Sequence, residues 1–126
     1  MINDRGGINM TLDDVRKYCL SKKGVEEDFP FDDKILVFKV GSKMFLLTNI
    51  KSSNFAISLK CDPILASVLR GEFDAIKPGY HLNKKHWNTI EIDGSIPENK
   101  LYSFIDLSYD LVFRGLKKAE KENILK

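Results

Sequence analysis

The first hydrophobic pattern of the chain has the period of an α-helix. Its apolar residues recur every three or four positions, at Leu12, Val15 and Cys19. This spacing places side chains on one helical face. Thr11 and Asp14 form a variant capping box, and Gly24 suits the left-handed residue that follows a helix. A short amphipathic helix is therefore predicted to begin near Leu12.

After an acidic segment, the hydrophobic period shortens to that of a β-strand. The segments KILVFKV (34–40) and KMFLLTNI (43–50) are rich in β-branched and aromatic residues and are joined by Gly41 and Ser42. Glycine supplies the positive φ of a tight turn, so a β-hairpin is predicted. FAISLK (55–60) is predicted to add the third strand of a meander.

The first strand of this meander has apolar residues on both faces. Leu36, Phe38 and Val40 share one face, while Val37 and Lys39 share the other. We therefore expect the outer face of the sheet to be partly covered.

Two further helices and one further strand follow. Asp62 suits the N-cap of a second helix, Pro63 its first position and Gly71 its end. Residues 87–92 alternate as a strand, and a turn is predicted at Asp93-Gly94. The last helix is predicted to start near Pro97, with a stripe formed by Leu101, Phe104, Ile105, Ser108, Leu111 and Val112. Ser108 is the polar interruption of that stripe.

This order of elements predicts an α+β fold. A meander of three strands plus a C-terminal strand segment forms an antiparallel β-sheet, and the helices pack on it. We expect a flexible N-terminal extension at 1–9, a single domain at 10–116 and a charged, frayed C-terminal tail at 117–126.

Composition adds little beyond a globular class. The chain has 126 residues, 43% hydrophobic and 30% charged, and one domain of this length buries about two-thirds of its unfolded surface. Cys19 and Cys61 form no CxxC pair, and no secretory leader or membrane span is visible. Reduced thiols and a cytoplasmic location with no membrane partner are therefore expected.

Charge is unevenly distributed along the chain. The net charge is only +2, which does not by itself indicate a nucleic-acid binder. Five acids and no base lie at 26–33, three lysines and no acid at 77–90, and five bases against two acids at 114–126. The pattern predicts an electrically polarised molecule, or alternatively a set of separately solvated loops.

One segment, GYHLNKKHWNT (79–89), contains the only tryptophan, both histidines and two adjacent lysines. Together with LVFKV…KMF, ISLKCDP and SYDLV, it resembles the MmcQ/YjbR family of small bacterial proteins over about residues 10–116. The resemblance implies a CyaY-like α+β fold, similar to a "double wing" DNA-binding domain. It thereby implies binding to DNA.

On that resemblance we expect a largely non-specific surface for double-stranded DNA. Lysines would neutralise phosphates, asparagines would donate hydrogen bonds, and rings would stack or wedge. Strands and their turns, rather than a recognition helix, would meet the groove. The candidate residues are Lys39, Lys43, Lys77, Tyr80, His81, Asn83, Lys84, Lys85, His86, Trp87 and Asn88.

Several of these residues have an equally good structural interpretation. Trp87 begins a strand and suits the core, while His81 and Asn83 suit a turn held by side-chain hydrogen bonds. A protein-interaction adaptor that binds neither nucleic acid nor substrate is the alternative function, with a protein partner in place of DNA.

Catalysis and metal binding have little support. No GxSxG, P-loop or HExxH pattern is present, and Asp62 opposes activation of the Cys61 thiol. Frataxin-type proteins of similar architecture bind iron through acidic helices, but the acids here lie in a loop without ligand spacing. No enzyme activity, cofactor or metal is therefore expected, and the oligomeric state stays open.

Overall fold

A computed structural model describes residues 10–79 and 82–126 of the chain. The predicted N-terminal extension, residues 1–9, lies outside the described residues. The helices are α1 (Leu12–Leu20), α2 (Pro63–Glu72), α3 (Glu98–Arg114) and α4 (Lys118–Leu125). The strands are β1 (Val25–Asp28), β2 (Ile35–Val40), β3 (Lys43–Asn49), β4 (Ala56–Lys60), β5 (Ile76–Pro78) and β6 (Trp87–Glu91).

The described strands form one antiparallel sheet in the order β1-β2-β3-β4-β6-β5. The predicted α+β class and the β2–β3–β4 meander are thus confirmed. β6 returns to β4, so the C-terminal strand joins the edge of the meander as predicted. The main hydrophobic core joins this sheet to the inward faces of α1, α2 and α3.

The predicted N-terminal caps of α1 and α2 are confirmed. The Thr11 hydroxyl accepts a hydrogen bond from the Asp14 N–H, and the Asp14 carboxylate accepts one from the Thr11 N–H. Asp62 caps α2, with Pro63 in its first turn. The prediction that Gly71 ends α2 is wrong: the helix runs through it to Glu72. Gly71 adopts helical backbone there, and glycine disfavours a helix only by about 1 kcal/mol.

Three elements lie where the sequence predicts none. β1 is an acidic edge strand in the predicted loop, and β5 has only three residues. The predicted frayed tail instead contains α4. Leu116 is buried ahead of it, and the Glu120 carboxylate accepts a hydrogen bond from the Ser42 N–H at the β2–β3 turn. Such tertiary contacts stabilise a helix that lacks a strong apolar stripe of its own.

The two faces of the sheet are both partly apolar, as predicted. Leu36, Phe38 and Val40 lie in the main core under the helices. On the helix-free face, Val37 is fully buried in a second cluster with Leu47 and Trp87.

The polar interruption of the α3 stripe has a structural cause. A register shift between β2 and β3 leaves Phe45 as an extra residue, because Phe38 pairs with Leu46 and Lys39 with Met44. The fully buried Ser108 hydroxyl donates to the Phe45 carbonyl at 2.6 Å and accepts from the Lys60 N–H at 2.9 Å. Ser108 thereby satisfies two backbone groups at this irregularity.

Within the described part of the chain, no helix has both the length and the apolar character needed to cross a bilayer. Cys19 and Cys61 are both free and buried. Cys19 occupies the core face of α1, which confirms its predicted role as a small apolar residue.

Replacing Ser108 by alanine is expected to lower the free energy of unfolding by about 2–4 kcal/mol, since two buried backbone groups lose their partner. Urea denaturation measures the loss. Ser103→Ala is the matched control on α3, because the exposed Ser103 hydroxyl only contacts the Lys100 carbonyl of its own helix. Equal effects of the two substitutions would contradict the bridging role of Ser108.

Because the Cys19 thiol is buried, the stability of the protein should depend on pH in the alkaline range. Burial raises its pKa to about 12, from 9.0 in an exposed thiol. Above pH 9 the unfolded chain releases a proton that the folded chain retains, so stability falls by up to about 1.4 kcal/mol per pH unit. Cys19→Ala should flatten the fall in urea-derived stability between pH 9 and 10. Burial also raises the pKa of Cys61, but this residue is present in both the wild-type protein and the variant. Parallel pH profiles would refute this assignment.

Candidate nucleic-acid interface

The β5–β6 connection contains most of the GYHLNKKHWNT motif. Hydrogen bonds among its described residues stabilise it. The Gly79 N–H donates to the Trp87 carbonyl at 2.7 Å. The Asn83 carbonyl accepts from the N–H groups of Trp87 and His86, and its side-chain oxygen accepts from the Lys85 N–H at 2.9 Å. The Asn83 side chain thus hydrogen-bonds to loop backbone, as its structural interpretation predicts, but at Lys85 rather than at the Pro78-Gly79 turn.

Gly79 is required at this position because of close packing. A Cβ atom built on Gly79 would lie 2.6 Å from the Trp87 Cβ and 3.0 Å from the Trp87 carbonyl oxygen. Since backbone and Cβ atoms cannot yield as a flexible side chain can, any larger residue would push the two strands apart.

Arg70 of α2 connects the β5–β6 loop to the rest of the domain through hydrogen bonds. Its Nε donates to the Asn88 side-chain oxygen at 2.6 Å, and its Nη2 donates to the carbonyls of Lys84 and Trp87. No sequence pattern indicates this role, because a lone arginine in the last turn of a helix is ordinary. The contact partners are distant in sequence and meet only in the folded chain.

Two candidate contact residues are removed from the surface by burial. Asn88 is 2% exposed, and its Nδ2 faces the Ala66 carbonyl at 3.4 Å. Trp87 is 8% exposed and packs with Val37 and Leu47. The expectation that Asn88 and Trp87 contact DNA is therefore corrected, since both side chains serve packing.

Two candidate lysines are paired with carboxylates. Lys39 Nζ lies 3.4 Å from Asp28, and Lys77 Nζ lies 3.3 Å from Glu91. They stand on β2 and β5, four strand spacings apart, which is about 19 Å. Lys39 and Lys77 therefore do not join in one cationic stripe.

Other lysines do gather at one end of the sheet, which we call the basic end. The antiparallel register places Val40 opposite Lys43, Lys60 opposite Trp87 and Pro78 opposite Asn88. The β2–β3 turn, the end of β4 and the β5–β6 loop consequently share this end. Its lysines are Lys43, Lys60, Lys84 and Lys85, with Lys117, Lys118 and Lys121 at the start of α4.

The exposed lysines of the two turns have only backbone partners or none among the described residues. Lys43 Nζ donates to the Gly115 carbonyl at 3.2 Å, and Lys84 Nζ to the Gly79 carbonyl at 3.3 Å. The Lys85 amine has no ion pair within the described ranges. His86 is half-buried beside them, and its carbonyl accepts from the Cys61 N–H at 2.7 Å. Tyr80 and His81 lie outside the described residues.

The opposite end of the sheet, which we call the acidic end, carries six carboxylates. These are Asp28, Asp32, Asp33, Asp74, Glu91 and Asp93, at the ends of β1 and β6 and the start of β5. Lys34 and Lys51 are exposed bases at the same end. Asp32 and Asp33 of the acidic segment and Lys84 and Lys85 of the β5–β6 loop thus lie at opposite ends of the sheet.

No group of three His, Cys, Asp or Glu side chains within 10–79 and 82–126 has the geometry to hold a metal ion. At Cys61, burial and then the neighbouring Asp62 raise the pKa of the thiol. A raised thiol pKa disfavours the thiolate that nucleophilic catalysis needs.

Loss of the Arg70 side chain is expected to lower the free energy of unfolding by about 1.5–3 kcal/mol, as it is a charged donor to several acceptors. Hydrogen exchange should increase most at the amides of 83–88. Arg114→Ala is the control, because Arg114 is exposed and only contacts a carbonyl of its own helix. Unchanged exchange in the loop of Arg70→Ala would show that another contact holds it.

Comparison with known proteins finds a matching family model and relatives of similar sequence. A protein-family model described as YjbR matches residues 20–111. The uncharacterized protein YjbR of Escherichia coli K12 is 35% identical over 116 residues, covering 92% of this chain and 98% of the relative. The uncharacterized protein YbdF of Escherichia coli O157:H7 is 35% identical over 109 residues, covering 86% of this chain and 89% of the relative.

A solved structure is also similar. The crystal structure of Deinococcus radiodurans protein DR2400, with family-model domain DUF419, matches with a TM-score of 0.86 and 43% identity, covering 91% of this chain and 88% of that one. The names of these relatives specify no activity. Family model, sequence and fold together confirm the family resemblance: the chain belongs to the YjbR family.

Proposed function

We propose that the protein is a cytoplasmic DNA-binding protein that contacts the phosphate backbone of duplex DNA with its basic end. The observation that supports this most is the position of two turns. The β2–β3 turn, with Lys43, and the β5–β6 loop, with Lys84 and Lys85, project from the same end of one sheet.

The spacing of these turns suits a duplex. Only β4 lies between the two hairpins, so their midpoints are three strand spacings apart, about 14 Å. The major groove of B-DNA is about 12 Å wide. Two tips at this spacing would reach the phosphates on either side of one groove, in the manner of paired wings.

Intramolecular hydrogen bonds hold the described backbone of both turns. At the first turn, Gly41 has a φ of +60°, and Glu120 accepts from the Ser42 N–H. At the second, Arg70 and the Asn83 side chain bind the backbone of Lys84 and Lys85. A preorganised contact loses less conformational entropy on binding, so a few lysines suffice for measurable affinity.

Recognition of this kind would be largely independent of base sequence. Trp87 and Asn88 are buried, and the Asn83 side-chain oxygen is occupied by the Lys85 N–H. The lysines at the basic end present ammonium groups, which position a protein on phosphates but carry no sequence information. We therefore propose non-specific, salt-sensitive binding, consistent with an accessory role.

Fluorescence anisotropy with a labelled duplex tests the proposal. Three to five phosphate contacts predict a slope of log K against log salt of about −3 to −4.5. Lys84→Glu with Lys85→Glu should weaken binding at least about tenfold and flatten that slope by about 2. Lys43→Glu should weaken it independently, since it alters the other turn.

The matched control is Lys34→Glu with Lys51→Glu, which changes the net charge equally but at the acidic end of the sheet. Thermal melting should show that all variants are folded. If both double variants lose affinity alike, only net charge matters and the basic end is not the interface. If the wild-type protein fails to bind at tens of micromolar in low salt, the adaptor alternative replaces DNA binding.

A further inference from the structure

The C-terminal helix α4 packs on two glycine turns. Its residues Glu120 and Ile124 are four positions apart and therefore share one face of the helix. A Cβ atom built on Gly41 would lie 3.0 Å from the Glu120 Oε1, and one built on Gly24 would lie 2.9 Å from the Ile124 side chain. The Gly41 N–H donates to the Gly24 carbonyl at 3.4 Å, so the two turns adjoin. Two residues without side chains thus provide the surface on which α4 lies.

Hydrogen bonds connect the same C-terminal segment to the β2–β3 turn. The Glu120 carboxylate accepts from the Ser42 N–H at 2.9 Å. The Gly115 carbonyl accepts from Lys43 Nζ at 3.2 Å. Hydrogen bonding to Ser42 and the charge of nearby Lys117 lower the pKa of Glu120. The carboxylate is therefore ionised at neutral pH and serves as an acceptor there.

The position of α4 depends on these few contacts. The helix has eight residues, and none of them is buried. An isolated helix of that length is unstable in water, because nucleation costs more than so few hydrogen bonds return. Loss of the contact at Glu120 or at Ile124 should therefore loosen α4 from the domain.

The docked helix begins beside Lys43. Lys43 Nζ contacts the carbonyl of Gly115, which is only two residues ahead of Lys117. Consecutive Cα atoms are about 3.8 Å apart, so the Lys117 Cα lies within about 8 Å of the Gly115 Cα. Lys117 and Lys118 are both exposed. The lysines of α4 therefore adjoin the lysine of the β2–β3 turn.

Positive charge is in excess around the start of α4. Residues 114–122 include four bases and two acids, which are Arg114, Lys117, Lys118, Lys121, Glu120 and Glu122. Lys117, Lys118 and Lys121 form no ion pair with any residue in 10–79 and 82–126. On the neighbouring turn, the exposed Lys23 and Glu26 offset each other in charge. This corner of the basic end therefore attracts anions.

We infer that α4 is a third DNA-contacting element, which binds phosphates through Lys117 and Lys118 next to those bound by Lys43. The inference rests on the proposed function and adds an element that neither turn supplies. Phosphates of one strand follow each other every ~3.4 Å along the axis of the duplex, so neighbouring lysines reach successive phosphates. Glu120 then supports DNA binding although its own charge repels phosphate, because it docks the helix that carries these lysines.

Glu120→Ala in the full chain tests this role of the carboxylate. The substitution removes a negative charge from the basic end, so charge alone predicts tighter binding of the labelled duplex. Docking predicts the reverse, namely about three- to tenfold weaker binding at low salt and a salt slope flattened by about 1–2, because up to two phosphate contacts are lost. Hydrogen exchange at the Ser42 amide should become faster.

Glu122→Ala is the matched control, since it changes the charge equally on the same helix at an exposed residue. This variant should bind DNA at least as tightly as the wild type, with unchanged exchange at Ser42. A second pair leaves the charge unaltered. Ile124→Ala removes the contact with Gly24 and should weaken DNA binding, whereas Leu125→Ala alters a residue that is 60% exposed and should not.

The outcomes separate this inference from the proposed function. If Lys117→Gln with Lys118→Gln lowers affinity no more than Lys34→Gln with Lys51→Gln, α4 does not contact DNA, although the two turns still do. Tighter binding by Glu120→Ala than by Glu122→Ala would show instead that α4 masks the β2–β3 turn. Failure of the wild-type protein to bind the duplex would reject both proposals.

Discussion

The antiparallel pairing of β4 with β6 is the constraint on which the rest of the molecule depends. It attaches the β5–β6 hairpin to the meander, with Ser58 opposite Thr89 and Lys60 opposite Trp87. Because the pairing is antiparallel, the start of β6 lies beside the end of β4 and the start of β3. Both lysine-bearing turns thus face the same way. A parallel arrangement would have sent the β5–β6 loop to the acidic end and separated the cations.

Polar side chains, more than apolar burial, fix the details of this arrangement. Arg70 holds the loop through Asn88 and two carbonyls, and Ser108 bridges Phe45 and Lys60 where the register is irregular. Such groups add modest net stability but are costly to disrupt, because the remaining partner stays buried and unpaired. They therefore select one register and one loop geometry among several that the same apolar pattern would permit.

The sequence predicted the fold better than the candidate site, and the reason is the range of the interactions. Capping at Thr11 and Asp62, the turn at Gly41 and the strand faces of β2 follow from neighbours along the chain. The ion pair of Lys39 with Asp28 and the burial of Asn88 depend on contacts across strands. Local periodicity does not encode which lysine will meet a carboxylate. α4 was likewise missed, because Glu120 and Leu116 gain their partners only from the folded hairpin.

The proposed DNA contact follows from where the strands place their charged residues. Lys43, Lys60, Lys84 and Lys85 lie at one end of the strands. Asp32, Asp33, Asp74, Glu91 and Asp93 lie at the other end, together with the exposed bases Lys34 and Lys51. In the proposed contact with DNA, the two turns would meet the duplex tip-first, because the acidic residues at the other end of the sheet would repel phosphates.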